Sequence, residues 1–98
     1  MEITYKTKKL ERVCTDYSFA KRTYGEDTAD LIYQRIYEIS STDTVEHLVQ
    51  WHLGRCHSLK GNRKGQYAVD LSHPYRLIFE IIGNEIQIVR IIEITDYH

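Results

Sequence analysis

Hydrophobic positions recur at strand spacing in the first few residues, at helical spacing through the next forty or so, and at strand spacing again to the end. Glu2 to Thr7 alternates around Ile3 and Tyr5, which predicts a short strand. At Lys8 the period changes. Leu10, Val13, Cys14, Tyr17 and Tyr24 share a helical stripe, so Lys8 to Tyr24 reads as one amphipathic helix stopped by Gly25. A second helix, capped by Asp27 or Thr28, buries Ala29, Ile32, Ile36 and Ile39, with Tyr33 and Tyr37 widening the stripe. The short link between them predicts an antiparallel helical hairpin. Ser40 to Thr44 is a polar loop, and Asp43 with Glu46 resembles a capping box for a short helix from Val45 to His52.

From Arg55 the pattern is that of strands. Arg55 to Leu59 is short, 61–65 reads Gly-Asn-Arg-Lys-Gly and is a turn, and Gln66 to Leu71 alternates. Tyr75 to Ile82 then meets Glu85 to Thr95 across Gly83-Asn84, a tight hairpin signal. A two-residue hairpin sets Ile82 opposite Glu85, Glu80 opposite Gln87 and Arg76 opposite Ile91. Leu77, Phe79 and Ile81 then share a face with Ile86, Ile88 and Ile92, and the helices cover that face. Arg76 points the other way, with Ile78, Glu80, Gln87 and Val89, onto an open groove. Arg90 falls on the covered face in this register, which predicts a bulge near it. The expected architecture is α+β: an N-terminal strand and helical hairpin on one face of a small, mainly antiparallel sheet.

Composition narrows the class. A chain of 98 residues, 42% hydrophobic and 28% charged, has the balance of a single folded domain spanning 1–98. No apolar run approaches the ~20 residues of a membrane-spanning helix, and the first residues lack a signal-peptide pattern, so a cytoplasmic protein without a membrane partner is expected. The two cysteines, Cys14 and Cys56, are too few for a disulfide framework and read as buried thiols. The charge distribution is informative. Six acids face one base between Glu26 and Glu46, whereas His47 to Val69 holds no acid and carries Arg55, Lys60, Arg63 and Lys64. That asymmetry points to an anionic partner for the second half, the bland alternative being a solvated basic turn.

Several chemistries are excluded by motif. There is no glycine-rich phosphate loop and no Gly-x-Ser-x-Gly elbow. His47 and His52 are five residues apart and diverge on a helix, so they form no metal site with Cys56 and His57. No cofactor is expected. What remains is a set of cations and acid/base groups: His57, Lys60, Arg76, Asp96, Tyr97 and His98. Singly each has a structural reading, as a half-buried strand histidine, a turn lysine, an arginine braced by Glu80, or a frayed terminus.

Together they carry a resemblance. His57-Ser58-Leu59-Lys60-Gly61, then Tyr75-Arg76-Leu77-Ile78-Phe79, then terminal Asp96-Tyr97-His98, resembles the HigB branch of the RelE/ParE toxin superfamily over nearly the whole chain. Ser58 stands where that branch often has Pro, and Pro74 where it often has Asn. The resemblance implies the toxin of a type II toxin–antitoxin system, a ribosome-dependent endoribonuclease that cuts messenger RNA in the A site. It also implies a HigA-like helix-turn-helix antitoxin as partner, with operator DNA reached only through it. His57, Lys60, Arg76, Asp96, Tyr97 and His98 match positions that the branch uses in catalysis or RNA binding.

These residue types suit metal-free RNA cleavage, in which a 2′-hydroxyl attacks the adjacent phosphate. Histidine serves as base or acid near neutral pH, and either His57 or His98 fits either role. Arg76 offers a planar fork to phosphate oxygens, and Lys60 adds a point charge. Asp96 would orient a histidine, and Tyr97 would stack on a base or donate to phosphate. Arg55, Arg63 and Lys64 would grip ribosomal RNA in a salt-dependent way. The rival expectation is a ParE-like inhibitor of DNA gyrase, which needs the scaffold without the acid/base set; a third is an idle member acting only in autoregulation.

Overall fold

The computed structural model describes residues 1–83 and 85–96; Asn84, Tyr97 and His98 lie outside the described residues. Five strands form a mixed sheet: β1 (Glu2–Tyr5), β2 (His57–Ser58), β3 (Gln66–Asp70), β4 (Tyr75–Ile82) and β5 (Ile88–Asp96). Their order is β1-β5-β4-β3-β2, with β1 parallel to β5 and the other pairs antiparallel. Four helices precede β2: α1 (Lys8–Thr15), α2 (Tyr17–Tyr24), α3 (Glu26–Ser40) and α4 (Val45–Gln50). The core lies between helices and sheet, where Val13, Cys14, Ala29, Ile32, Ile39 and Leu48 meet Val69, Leu77, Phe79, Val89 and Ile91. The α+β expectation therefore holds.

The helical half differs from the sequence reading at its boundaries. Lys8 to Tyr24 is two helices, because Asp16 takes an extended conformation (φ −119°, ψ 98°). Its backbone N–H closes α1 on the Arg12 carbonyl at 2.9 Å, and its carboxylate accepts from the Phe19 N–H at 3.1 Å to cap α2. One short polar residue satisfies the end of one helix and the start of the next. Neither Asp27 nor Thr28 caps α3, which begins at Glu26. Thr28 is buried instead, its hydroxyl bonded to that of Ser72. Asp43 does not cap α4 either; Thr44 does, accepting from the His47 N–H at 3.3 Å. Tyr33 and Tyr37 lie on the outer side of α3 rather than in the core, Tyr37 being 70% exposed.

The larger correction is the register of the last two strands. Ile82 pairs with Ile88, not Glu85, so the connection runs from Gly83 to Gln87. Gly83 sits at φ 93°, and a Cβ there would come within 2.6 Å of the Ile86 carbonyl, so the turn requires glycine. Ile86 is exposed, and Gln87 leaves the sheet to accept from the Val45 N–H at 2.8 Å and donate to Glu46 at 2.9 Å. A bulge is present. Ile78 pairs with Glu93 while Phe79 pairs with Ile91, leaving Ile92 as the extra residue. Below the bulge Val89 and Ile91 face the core, and Arg90 points to the other side against Glu80. Above it Ile94 faces Leu77, and Thr95, not Ile91, stands opposite Arg76.

Candidate functional site

Alternation from these registers defines cross-strand rows on the face that the helices leave uncovered, and three of them carry charged groups across the β2–β5 strands. One row is His57–Ala68–Ile78–Glu93, the next Asp70–Arg76–Thr95, and on the other side lies Gln66–Glu80–Arg90. His57 and Arg76 thus share a face, one row and two strands apart. Strand spacing and rise put their Cα atoms about 12 Å from each other.

Asp70 organises the second row. Its Oδ2 lies 3.2 Å from Arg55 Nε, and its Oδ1 lies 3.6 Å from Arg76 Nε. Arg76 is largely buried along its side chain, whereas the Arg55 side chain is 82% exposed. Both line a cavity of about 320 Å³, together with Asp70, His73 and Tyr75. The Asp70 backbone is itself clamped: Arg35 Nε on α3 donates to its carbonyl at 2.7 Å, while Arg35 Nη1 pairs with Glu38 at 3.0 Å. Arg35 passes directly beneath the Leu53–Arg55 3-10 turn, where a Cβ on Gly54 would fall 2.5 Å from its Nε. Arg55, which follows, has a left-handed φ of 54°, a conformation that a side chain adopts only when its surroundings fix it.

That backbone turn also sets the histidine. His57 Nδ1–H donates to the Arg55 carbonyl at 2.9 Å. With the proton on Nδ1, the Nε2 lone pair is the ring's acceptor. Cys56 points the opposite way into the core, where burial pushes its thiol up to about 12, so it packs rather than reacts.

The basic loop is more engaged than its sequence suggests. Arg63, in the 3-10 turn Gly61–Arg63, donates to Gln66 at 2.8 Å and reaches Glu93 on β5 at 2.5 Å. To do so it crosses β4 above Ile78, and Ala68 and Ile78 beneath are buried though they lie outside the main core. Lys60 and Lys64 flank the same turn and are exposed. Asp96 ends β5 opposite Tyr75, so alternation turns it away from Arg76. Tyr97 and His98 lie outside the described residues. The structure therefore brings His57, Arg55 and Arg76 onto one face, with Lys60 and Lys64 on the loop above it.

Sequence reasoning missed Asp70, Glu93 and Arg35. Asp70 carries a signal, since it is a strand acid at the register of the strand base Arg76, but reading it requires the pairing; Glu93 meets an arginine of the β2–β3 loop, which strand parity does not reveal. Arg35 is visible only as the lone base among acids. Among the described residues no three of His, Cys, Asp and Glu converge as metal ligands, and no helix is long and apolar enough to cross a membrane.

No family model and no curated protein matches the chain. Solved structures do. A YoeB/ParE toxin from Agrobacterium tumefaciens superposes with a TM-score of 0.68 at 19% identity, over 100% of both chains. The chain has the fold of the YoeB and ParE toxins. YoeB from Staphylococcus aureus, solved as a dimer, gives a TM-score of 0.63 at 21% identity, covering 100% of this chain and 97% of that one. A YoeB–YefM complex from Staphylococcus aureus gives 0.63 at 20% identity with the same coverage. Within this YoeB/ParE fold, the uncovered sheet face carrying Arg76 and His57 is the candidate site.

Proposed function

We propose that this chain is the toxin of a type II toxin–antitoxin pair, a HigB-type endoribonuclease that cleaves messenger RNA in the ribosomal A site. The observation that carries the reading is the common face of Arg76 and His57, with His57 fixed by the Arg55 carbonyl so that Nε2 accepts. In the proposed reaction, His57 Nε2 takes the proton of a 2′-hydroxyl as its oxygen attacks the adjacent phosphorus. Arg76, with Arg55 beside it, stabilises the negative charge that builds on the non-bridging oxygens. The bond from phosphorus to the leaving 5′-oxygen breaks, and that oxygen takes a proton. The products are a cyclic phosphate and a free 5′-hydroxyl. We assign this second transfer to the tail, whose Asp96, Tyr97 and His98 match positions that the HigB branch uses in catalysis or RNA binding. His98 is the donor because His57 is used as the base; Lys60 supplies a further charge from the loop.

The HigB-type assignment rests on the sequence segments His57–Gly61, Tyr75–Phe79 and Asp96–His98. A HigA-like helix-turn-helix antitoxin is the proposed partner, a reading supported by the complex that the S. aureus YoeB forms with YefM. The cytoplasm, where ribosomes are, is the proposed location.

The test is to map messenger RNA 5′ ends after induced expression of the wild type, of Arg76→Ala and of a chain ending at Thr95. New ends inside translated codons are expected for the wild type and for neither variant. Growth arrest without new ends would overturn the nuclease reading in favour of gyrase inhibition. Full cleavage by the shortened chain would remove the tail from the mechanism.

A further inference from the structure

We infer that Asp70 is a positioning residue for the proposed cleavage, holding the guanidinium groups of Arg55 and Arg76 from their Nε sides so that both address one phosphate. The inference rests on the nuclease reading above and assigns a role to a residue outside the acid/base set.

An acid at this point is at first sight out of place. It directly follows the acid-free span His47 to Val69 and lies in the cavity that Arg55 and Arg76 line. A carboxylate there repels a phosphate, so a surface built only to bind RNA would do better without it. The geometry supplies a reason for its presence. Each carboxylate oxygen takes a different arginine, Oδ2 with Arg55 and Oδ1 with Arg76. Two cationic side chains that repel each other, the largely buried Arg76 and the exposed Arg55, are thereby referred to one rigid point. The point is rigid because Asp70 pairs with Arg76 in the β3–β4 ladder and its carbonyl is clamped by Arg35 from α3. Groups fixed before the substrate arrives need no reorganisation when charge develops in the transition state. Asp70 thus weakens ground-state attraction and strengthens the interaction that matters for rate.

This predicts a split that a purely structural role does not give. Single-turnover cleavage of messenger RNA on programmed ribosomes is measured for wild type, Asp70→Asn, Asp70→Glu, Arg55→Ala and the Asp70→Asn/Arg55→Ala double variant, with thermal unfolding recorded for each. For Asp70→Asn the maximal rate is expected to fall about 10- to 100-fold, while the KM for programmed ribosomes stays level or drops because a repulsive charge is gone. Asp70→Glu restores part of the rate, and in the Arg55→Ala background the Asn substitution costs less than it does alone. A wild-type rate in Asp70→Asn overturns the inference, as does a raised KM at unchanged rate. Equal losses in Asp70→Asn and Asp70→Glu that track a lower unfolding temperature also overturn it. A wild type that cleaves nothing brings down the nuclease reading itself, and this role with it; a wild type that cleaves beside an unaffected Asp70→Asn removes only Asp70.

Discussion

On the helix-covered face of the sheet, Val69, Leu77, Phe79, Val89 and Ile91 pack with no charged neighbour in their rows. On the opposite face the same strands present Asp70 to Arg76, Glu80 to Arg90, and Glu93 to an arginine arching over from the β2–β3 loop. The backbone ladder is common to both, so the contrast lies entirely in side chains that alternate residue by residue. The first face is specified by volume, because close-packed interiors tolerate neither holes nor extra atoms. The second is specified by charge and register, because an ion pair across strands exists only when the partners are aligned. The bulge at Ile92 joins the two specifications: it exchanges the faces of β5 halfway along, so that Arg90 and Glu93 both point outward although they are three residues apart.

The comparison breaks most severely on the covered side. Phe79 is fully buried and stacks on Tyr67 with ring centroids 5.6 Å apart. Phe79→Ala is expected to destabilise the fold by about 3–5 kcal/mol, read as a lower denaturation midpoint in urea. Under the proposed nuclease reading, if that variant still folds its cleavage rate per folded molecule should stay near wild type, since Phe79 faces away from the candidate site. Arg76→Ala should do the reverse. In the proposed mechanism Arg76 is a transition-state donor, and loss of one such donor is worth about 10²–10³ in rate, whereas the unfolding midpoint should move little. A parallel loss of rate and stability in both variants would show that the two faces are not separable.

How far the sequence disclosed these faces follows from the same contrast. Alternation made Leu77 and Phe79 legible as core and Arg76 as its opposite, because a period of two needs no knowledge of the partner strand. The partner needed the turn, and Gly83-Asn84 reads as a two-residue hairpin although the pairing begins at Ile88. That error moved every residue of β5 against β4 and hid the match of Arg76 with Thr95. The misplaced Arg90 was a true signal with the wrong remedy: it pairs with Glu80 below the bulge, so the changed register, and not the bulge at Ile92, turns it outward. Asp70 stayed hidden because its significance is entirely pairwise. The other residues of the candidate site were named in the sequence only as residue types, and their geometry was not legible there.

The layer that covers the apolar face offers a smaller test. Asp16 ends α1 and caps α2 with one residue, so both helices depend on it. Asp16→Ala removes the carboxylate that meets the Phe19 N–H and is expected to cost about 1 kcal/mol. Asp16→Asn, which keeps the acceptor, should retain most of that stability. The charged face should be indifferent to either change, so an altered cleavage rate at equal folded fraction would show that the helix layer reaches through the sheet.

The smallest effect concerns the bridge over the charged face. Arg63 and Glu93 are both about two-fifths exposed, and an ion pair so accessible to water and salt contributes only about 0–1 kcal/mol. Its thermodynamic weight is therefore slight, but its position is not. Arg63 was expected from the sequence to grip RNA, and while it is paired with Glu93 its charge is partly neutralised. Glu93→Gln leaves a neutral acceptor in place and releases the full charge of Arg63 to an incoming strand. The expected outcome is an unfolding midpoint close to wild type and a severalfold tighter affinity for programmed ribosomes at low salt. That gain should fade as salt is raised, because each added phosphate contact steepens the salt dependence. Arg63→Ala should weaken binding without slowing the chemical step. If instead Glu93→Gln slows cleavage at saturating ribosomes, the bridge holds the loop bearing Lys60 and Lys64 over the face, and Arg63 belongs with the scaffold rather than with the RNA.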